Sequence, residues 1–220
     1  MKVYAAPRAR SRAGFTLVEL TVSAAILTLV LGSVGLFQLR SQEHTGSMLV
    51  NERAETQARR ALTRIVDELR GVSAAFLVPD PTSVLGTSTL TYQRPADVTN
   101  TGVVVWGPPS RLALELEPGE LDNGLDDDGD GLVDERRLVL TLGLGTAAER
   151  SVVICTGIAE FAEGEAGNGA DDNGNGLVDE PGFSVRRVGD LLTIRLTVLV
   201  PLDGGGVLTR STETSLVLRN

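Results

Sequence analysis

The chain has 220 residues, with 29 acidic against 20 basic side chains and a formal charge of −9. That balance excludes the basic footprint of a nucleic-acid-binding protein. Cys155 and His44 are the sole cysteine and histidine, which excludes an intrachain disulfide and leaves no Ser/His/Asp, Cys/His or histidine-based metal arrangement for an enzyme.

The first element is apolar. Residues 15–37 carry one charge, Glu19, and as a helix they would span ~35 Å, against ~30 Å for the hydrocarbon core of a bilayer. Lys2, Arg8, Arg10 and Arg12 precede the run with no acid among them, whereas Arg40 beyond it is balanced by Glu43. The positive-inside rule therefore puts the N-terminus in the cytoplasm and the rest of the chain outside. A secretory signal would have a shorter apolar region of ~7–15 residues followed by a small-residue cleavage site. Glu19 is costly here, because an ionised carboxylate within the bilayer costs on the order of 2.5–3.5 kcal/mol and marks function by default. Cleavage after Gly14 would give it a partner, the new α-amino group of Phe15, on the same or a neighbouring chain. The alternative is an uncleaved anchor whose Glu19 reaches the interface.

Gly14-Phe15-Thr16-Leu17-Val18-Glu19 resembles the processing site of type IV prepilins and type II secretion pseudopilins. The resemblance implies that a prepilin peptidase removes residues 1–14 and N-methylates Phe15. It also implies that Glu19 neutralises the N-terminal amine of an adjacent subunit during filament assembly. The implied partners are other pilin or pseudopilin subunits and the inner-membrane assembly platform. The implied location is a single-pass inner-membrane protein that moves into a periplasmic or cell-surface filament. Loss of the four leader cations would take −9 to about −13.

Residues 38–71 continue as an amphipathic helix, with Ala54, Ala58, Ala61, Leu62, Ile65, Val66 and Leu69 on one face and Arg59, Arg60, Arg64, Asp67, Glu68 and Arg70 on the other. Gly71 is the expected stop. Gly32 and Gly35 each weaken a helix interior by ~1 kcal/mol, which predicts either a local break or close packing of neighbouring helices on small residues.

Residues 72–220 form the head, about 145 residues after the stem and enough for one core. Prolines between 77 and 110 predict a loop-rich insertion with short strands at 90–92 and 103–106, and Trp106 reads as head packing. Alternation predicts strands at 111–117, 137–142 and 151–161, and a closing hairpin of 192–202 with 207–218. Cys155 falls within such a strand as a small buried hydrophobe. The expected fold class is α+β, a long N-terminal helix packed on an antiparallel sheet. The segment 59–70 and the closing hairpin are similar to those of J-type minor pseudopilins and W-type minor pilins.

Sixteen of the 29 acids fall in two segments, nine between Glu117 and Glu135 and seven between Glu160 and Glu180. Within the acidic loops 118–135 and 163–181, residues 123–135 match residues 168–180 at an offset of 45. Asp126, Asp128 and Asp130, a turn at Gly131, the Leu132 carbonyl and Asp134 reproduce the first half of a calcium loop. The second copy offers Asp171, Asn173, Asn175, the Leu177 carbonyl and Asp179, and two amides in place of carboxylates predict weaker binding there. Neither is a full EF-hand, since Arg137 and Gly182 stand where the closing glutamate should be, which leaves Glu135 and Glu180 as candidates to complete each shell. The pattern resembles the Asp- and Gly-rich calcium repeats of extracellular proteins such as thrombospondin type 3. The alternative is an acidic glycine-rich surface loop without an ion.

The leading function is a minor filament subunit with structural calcium and no catalysis. The other is a monomeric membrane-anchored calcium-binding surface protein or adhesin.

Overall fold

The computed structural model describes residues 16–202 and 205–218, without the side chains of residues 36 and 39–47. The leader, the Gly14-Phe15 junction and Asp203-Gly204 of the closing turn lie outside the described residues. The chain divides into two compact units, Met1–Gly46 and Ser47–Asn220.

In the first unit the chain is helical from Leu17, the start of α1 (Leu17–Leu69). The helix runs through Gly32 and Gly35 without a break. Leu17, Leu20, Leu29, Leu31 and Phe37 are all exposed, so burial within the chain does not account for this helix. An apolar surface of this kind is satisfied by lipid or by other helices.

In the second unit α1 lies on a sheet. Ala54, Ala58, Ala61, Leu62, Ile65 and Leu69 are buried, at the three- and four-residue spacing that keeps one helix face inward. They meet Leu112, Leu138, Leu140, Ile158, Phe183, Ile194 and Leu196 in one core. The three alanines bring the helix backbone close, and full burial of Ile65 or Leu69 contributes ~1.5–3 kcal/mol each. Gln57 fixes the helix along the sheet by donating to the Thr156 carbonyl at 2.8 Å. The helix ends at Leu69, whose carbonyl accepts from Val72 at 3.2 Å, while Gly71 turns the chain at φ 83°, a conformation glycine adopts without steric cost.

The strands are β1 (Thr89–Tyr92), β2 (Pro95–Val98), β3 (Val104–Trp106), β4 (Ser110–Leu116), β5 (Arg136–Leu142), β6 (Arg150–Ile158), β7 (Phe183–Val188), β8 (Leu191–Pro201) and β9 (Val207–Val217). Seven of them form an antiparallel sheet in the order β1-β4-β5-β6-β8-β7, with β9 on β8. β8 holds the sheet together: β9 lies along its full length on one edge, while β7 and the end of β6 share the other. β2 and β3 form a separate two-stranded ribbon, and Trp106 packs against Phe76 with ring centroids 4.3 Å apart. The fold is therefore α+β, an N-terminal apolar helix and an antiparallel sheet domain.

Three strands depart from the sequence expectation. β2 is exposed along its whole length and begins with proline, so it has no alternation to read. β7 alternates only beyond a buried start. The strand expected to reach residue 161 ends at Ile158, and Phe161 pairs only with Pro181 across the mouth of the second loop.

The first acidic loop joins β4 to β5 and the second joins β6 to β7. Arg136 pairs with Ile158, so both loops leave the same end of the sheet. The Arg136 guanidinium contacts Asp122 of the first loop at 3.3 Å and Glu160 before the second at 2.7 Å.

Candidate metal centre and membrane segment

At the N-terminal end of the described residues, the first turn of α1 is closed by a reciprocal cap. Glu19 Oε2 accepts from the backbone N–H and the hydroxyl of Thr16, both at 3.0 Å, and Thr16 Oγ1 accepts from the Glu19 N–H at 3.3 Å. This is a capping box, which satisfies two N–H groups that a helix start leaves orphaned. Residues Leu17–Gly35 have a mean hydropathy of 2.1 and are long enough to cross a membrane. Gly14 and Phe15 are outside the described residues.

The two acidic loops share one hydrogen-bond plan. In the first, Asp134 accepts from the N–H groups of Asn123 and Gly124 at 2.9 and 2.7 Å. Asp126 accepts from Gly129 and Gly131 at 2.6 and 3.0 Å. Asp128 Oδ1 accepts from the Asp130 N–H at 3.1 Å and Asp130 Oδ1 from the Leu132 N–H at 2.9 Å. The second loop repeats each bond 45 residues on. Asp179 holds Asn168 and Gly169, and Asp171 holds Gly174 and Gly176. Asn173 Oδ1 holds the Asn175 N–H, and Asn175 Oδ1 the Leu177 N–H. The bonds that reach two or three residues ahead are Asx-type turns, in which a short side chain caps the backbone just beyond it, whereas Asp134 and Asp179 reach back across the loop. Even an unusual conformation is copied: Asp134 and Asp179 sit at φ 48° and 50°.

The plan reaches further upstream than the sequence match. Glu120, which is buried, accepts from the N–H groups of Asp127, Asp128 and Asp134, and Glu165 accepts from those of Asn173 and Asp179. The sequence match ends at Asn123 and Asn168 because Leu121-Asp122 and Ala166-Gly167 are dissimilar. Gly119-Glu120 and Gly164-Glu165, at the same offset, were the signal that could have extended it.

In the first loop, carboxylate oxygens of Glu120, Asp126 and Asp128 lie within 4.8 Å of one another, as do those of Asp128, Asp130 and Glu135. Oxygens held ~2.3–2.6 Å from one calcium ion can be at most about 5 Å apart, so both trios have the spacing of a shared coordination sphere. Glu135 is 1% exposed, and neither of its carboxylate oxygens has a hydrogen-bond partner among the described residues. Burial pushes its carboxyl up to about 7, and the nearby Asp130, Glu120 and Asp128 charges add to the rise. Both oxygens of Asp134 accept from backbone N–H groups, as do both oxygens of Glu120 and Asp126, but Asp134 belongs to neither trio. Leu132 is buried by its side chain.

At the same place in the second loop stands Glu180, fully buried. Its Oε1 accepts from Arg195 at 2.9 Å and from Asn175 Nδ2 at 2.8 Å, and its Oε2 from Asn173 Nδ2 at 3.5 Å. Arg195 lies on β8, and no feature of the loop pattern points to it.

Residues 9–35 match the family model of the prokaryotic N-terminal methylation motif, which is type IV pilin-like. No curated protein and no solved structure matches the chain.

Proposed function

We propose that this protein is a pilin-like structural subunit, a minor pseudopilin of a type II secretion system or a minor type IV pilin. A prepilin peptidase cleaves after Gly14 and methylates Phe15. The mature chain sits in the inner membrane by residues 15–37, its head outside, until the assembly platform moves it into a periplasmic or surface filament among other pilin-like subunits.

The observation that carries this reading is the methylation motif at residues 9–35, which overlaps the apolar helix Leu17–Gly35 ahead of a sheet head. The cleavage junction precedes the membrane segment, so processing leaves the anchor in place. Glu19 lies in the first turn, and in this reading its carboxylate leaves the Thr16 cap to pair with the α-amino group of an adjacent subunit. The amphipathic run 59–70 and the closing hairpin favour a minor subunit of the J or W type. Calcium held in the acidic loops stabilises the head, because an ion that binds only the ordered loop adds its binding free energy to folding.

Mass spectrometry of the mature N-terminus tests the reading. A chain beginning at methylated Phe15 supports it, and an intact Met1 overturns it in favour of a membrane-anchored surface protein. Glu19→Gln and Glu19→Val should allow cleavage and impair assembly, and normal assembly of both variants counts against the role of Glu19.

A further inference from the structure

The two loops share a backbone but present opposite polarity to the point each encloses. In the first, Asp128 Oδ1 and Asp130 Oδ1 are used by backbone N–H groups, so the second arm of each side chain is a free carboxylate oxygen. In the second, the backbone takes the Oδ1 atoms of Asn173 and Asn175 in the same way. The remaining arm of each is then an NH2 group, and both point at Glu180. Rotating an amide to offer its oxygen instead would set its NH2 against a backbone N–H, so the turn that shapes the loop also fixes the direction of the amide. A cation needs oxygen lone pairs, and two NH2 groups repel it.

The buried glutamates complete the contrast. Desolvating a carboxylate is expensive unless a positive partner is close. Glu180 has one in Arg195, at 2.9 Å, whereas Glu135 has none among the described residues: both its oxygens are buried and unpartnered there, and they face Asp128 and Asp130. Arg136, next to it in sequence, is spent on Asp122 and Glu160.

We propose that the protein binds one divalent cation and not two. The ion is held in the first loop by Glu120, Asp126, Asp128, Asp130 and Glu135, and Arg195 with the amide groups of Asn173 and Asn175 takes the cation's place in the second. The inference rests on the reading of the acidic loops as calcium sites and narrows it to one of them. The first loop collects five carboxylates. At the five matching positions the second has three, Glu165, Asp171 and Glu180, together with a guanidinium supplied by the sheet. Calcium, a hard cation taking six to eight oxygens, fits the first set; the Leu132 carbonyl and water are the remaining donors available to it.

Equilibrium dialysis of the full chain in detergent micelles against calcium, with bound metal counted per chain by atomic emission, decides the matter. The expected stoichiometry is one. Asp128→Asn with Asp130→Asn gives the first loop the amides of the second, changes only exposed side chains, and should weaken binding on the order of 100-fold. Asn173→Ala with Asn175→Ala should leave the single ion bound. Asn173→Asp, Asn175→Asp and Arg195→Gln together should raise the stoichiometry to two; a folded triple variant that still binds one ion refutes the role of Arg195. Two ions in the wild-type chain, or one ion that survives the change in the first loop, overturns the inference while leaving calcium binding intact. No bound calcium at all overturns the calcium reading itself.

Discussion

The two acidic loops have the same backbone plan, the same Asx turns and the same aspartate in the left-handed region, yet one ends in a bare buried glutamate and the other in a glutamate neutralised by arginine. The comparison shows that the shape of a loop and the charge it encloses are set by different atoms. Backbone N–H groups take one oxygen from each Asp or Asn and define the turn. The other arm of the same side chain, together with whatever the neighbouring strand supplies, decides whether the interior attracts a cation.

The comparison can be broken most forcefully at Arg195. Arg195→Ala leaves Glu180 buried without its cation and should destabilise the protein by ~3–5 kcal/mol, with or without calcium, by denaturant unfolding in detergent. A loss that calcium repairs in full would mean that the second loop takes an ion after all. Chelation is the next largest effect. Removing calcium from wild type should cost about 2.7 kcal/mol when free calcium had been about 100 times Kd, a fall in Tm of roughly 5–10 °C. Asp126→Ala with Asp130→Ala should abolish that difference.

Glu135 sharpens the contrast through pH. Its carboxyl, lifted from the ordinary value of 4.5 to about 7 in the fold, keeps a proton that the unfolded chain has released. The metal-free protein should therefore lose stability as pH rises from about 4.5 to about 7, by on the order of 2 kcal/mol. Glu135→Gln in chelator should remove that slope. The same substitution in calcium should weaken the protein, so its effect changes sign with the ion. The smallest effect belongs to the bridge between the loops: Asp122→Asn loses a contact of Arg136 to an exposed carboxylate and should shift stability by no more than about 0.5 kcal/mol.

Much of this was legible in the sequence. The helix showed in the spacing of Ala54, Ala58, Ala61, Leu62, Ile65 and Leu69, because one buried face must recur every three or four residues. β8 and β9 showed by alternation. The loops declared themselves because ligand spacing is local, and a 45-residue offset preserved it. What escaped depended on partners distant in sequence. β7 is held by pairing with β8, and the pairing of Ser184 with Arg195 places that guanidinium beside Glu180. Glu120 contacts the loop across 14 residues. Thr16 and Glu19 carry the four-residue signature of a cap in the sequence itself, alongside the charge that makes Glu19 costly in an apolar run.

An arginine is part of the chain and is present wherever the chain folds, whereas an ion must be met. On this reading the loop closed by Arg195 is ordered as soon as the sheet forms, and the loop around Glu135 stays unfinished until the head reaches a compartment that contains calcium. The same end of one sheet would then have a permanent half and a conditional half. Arrival outside the membrane would be recorded in the shape of the molecule.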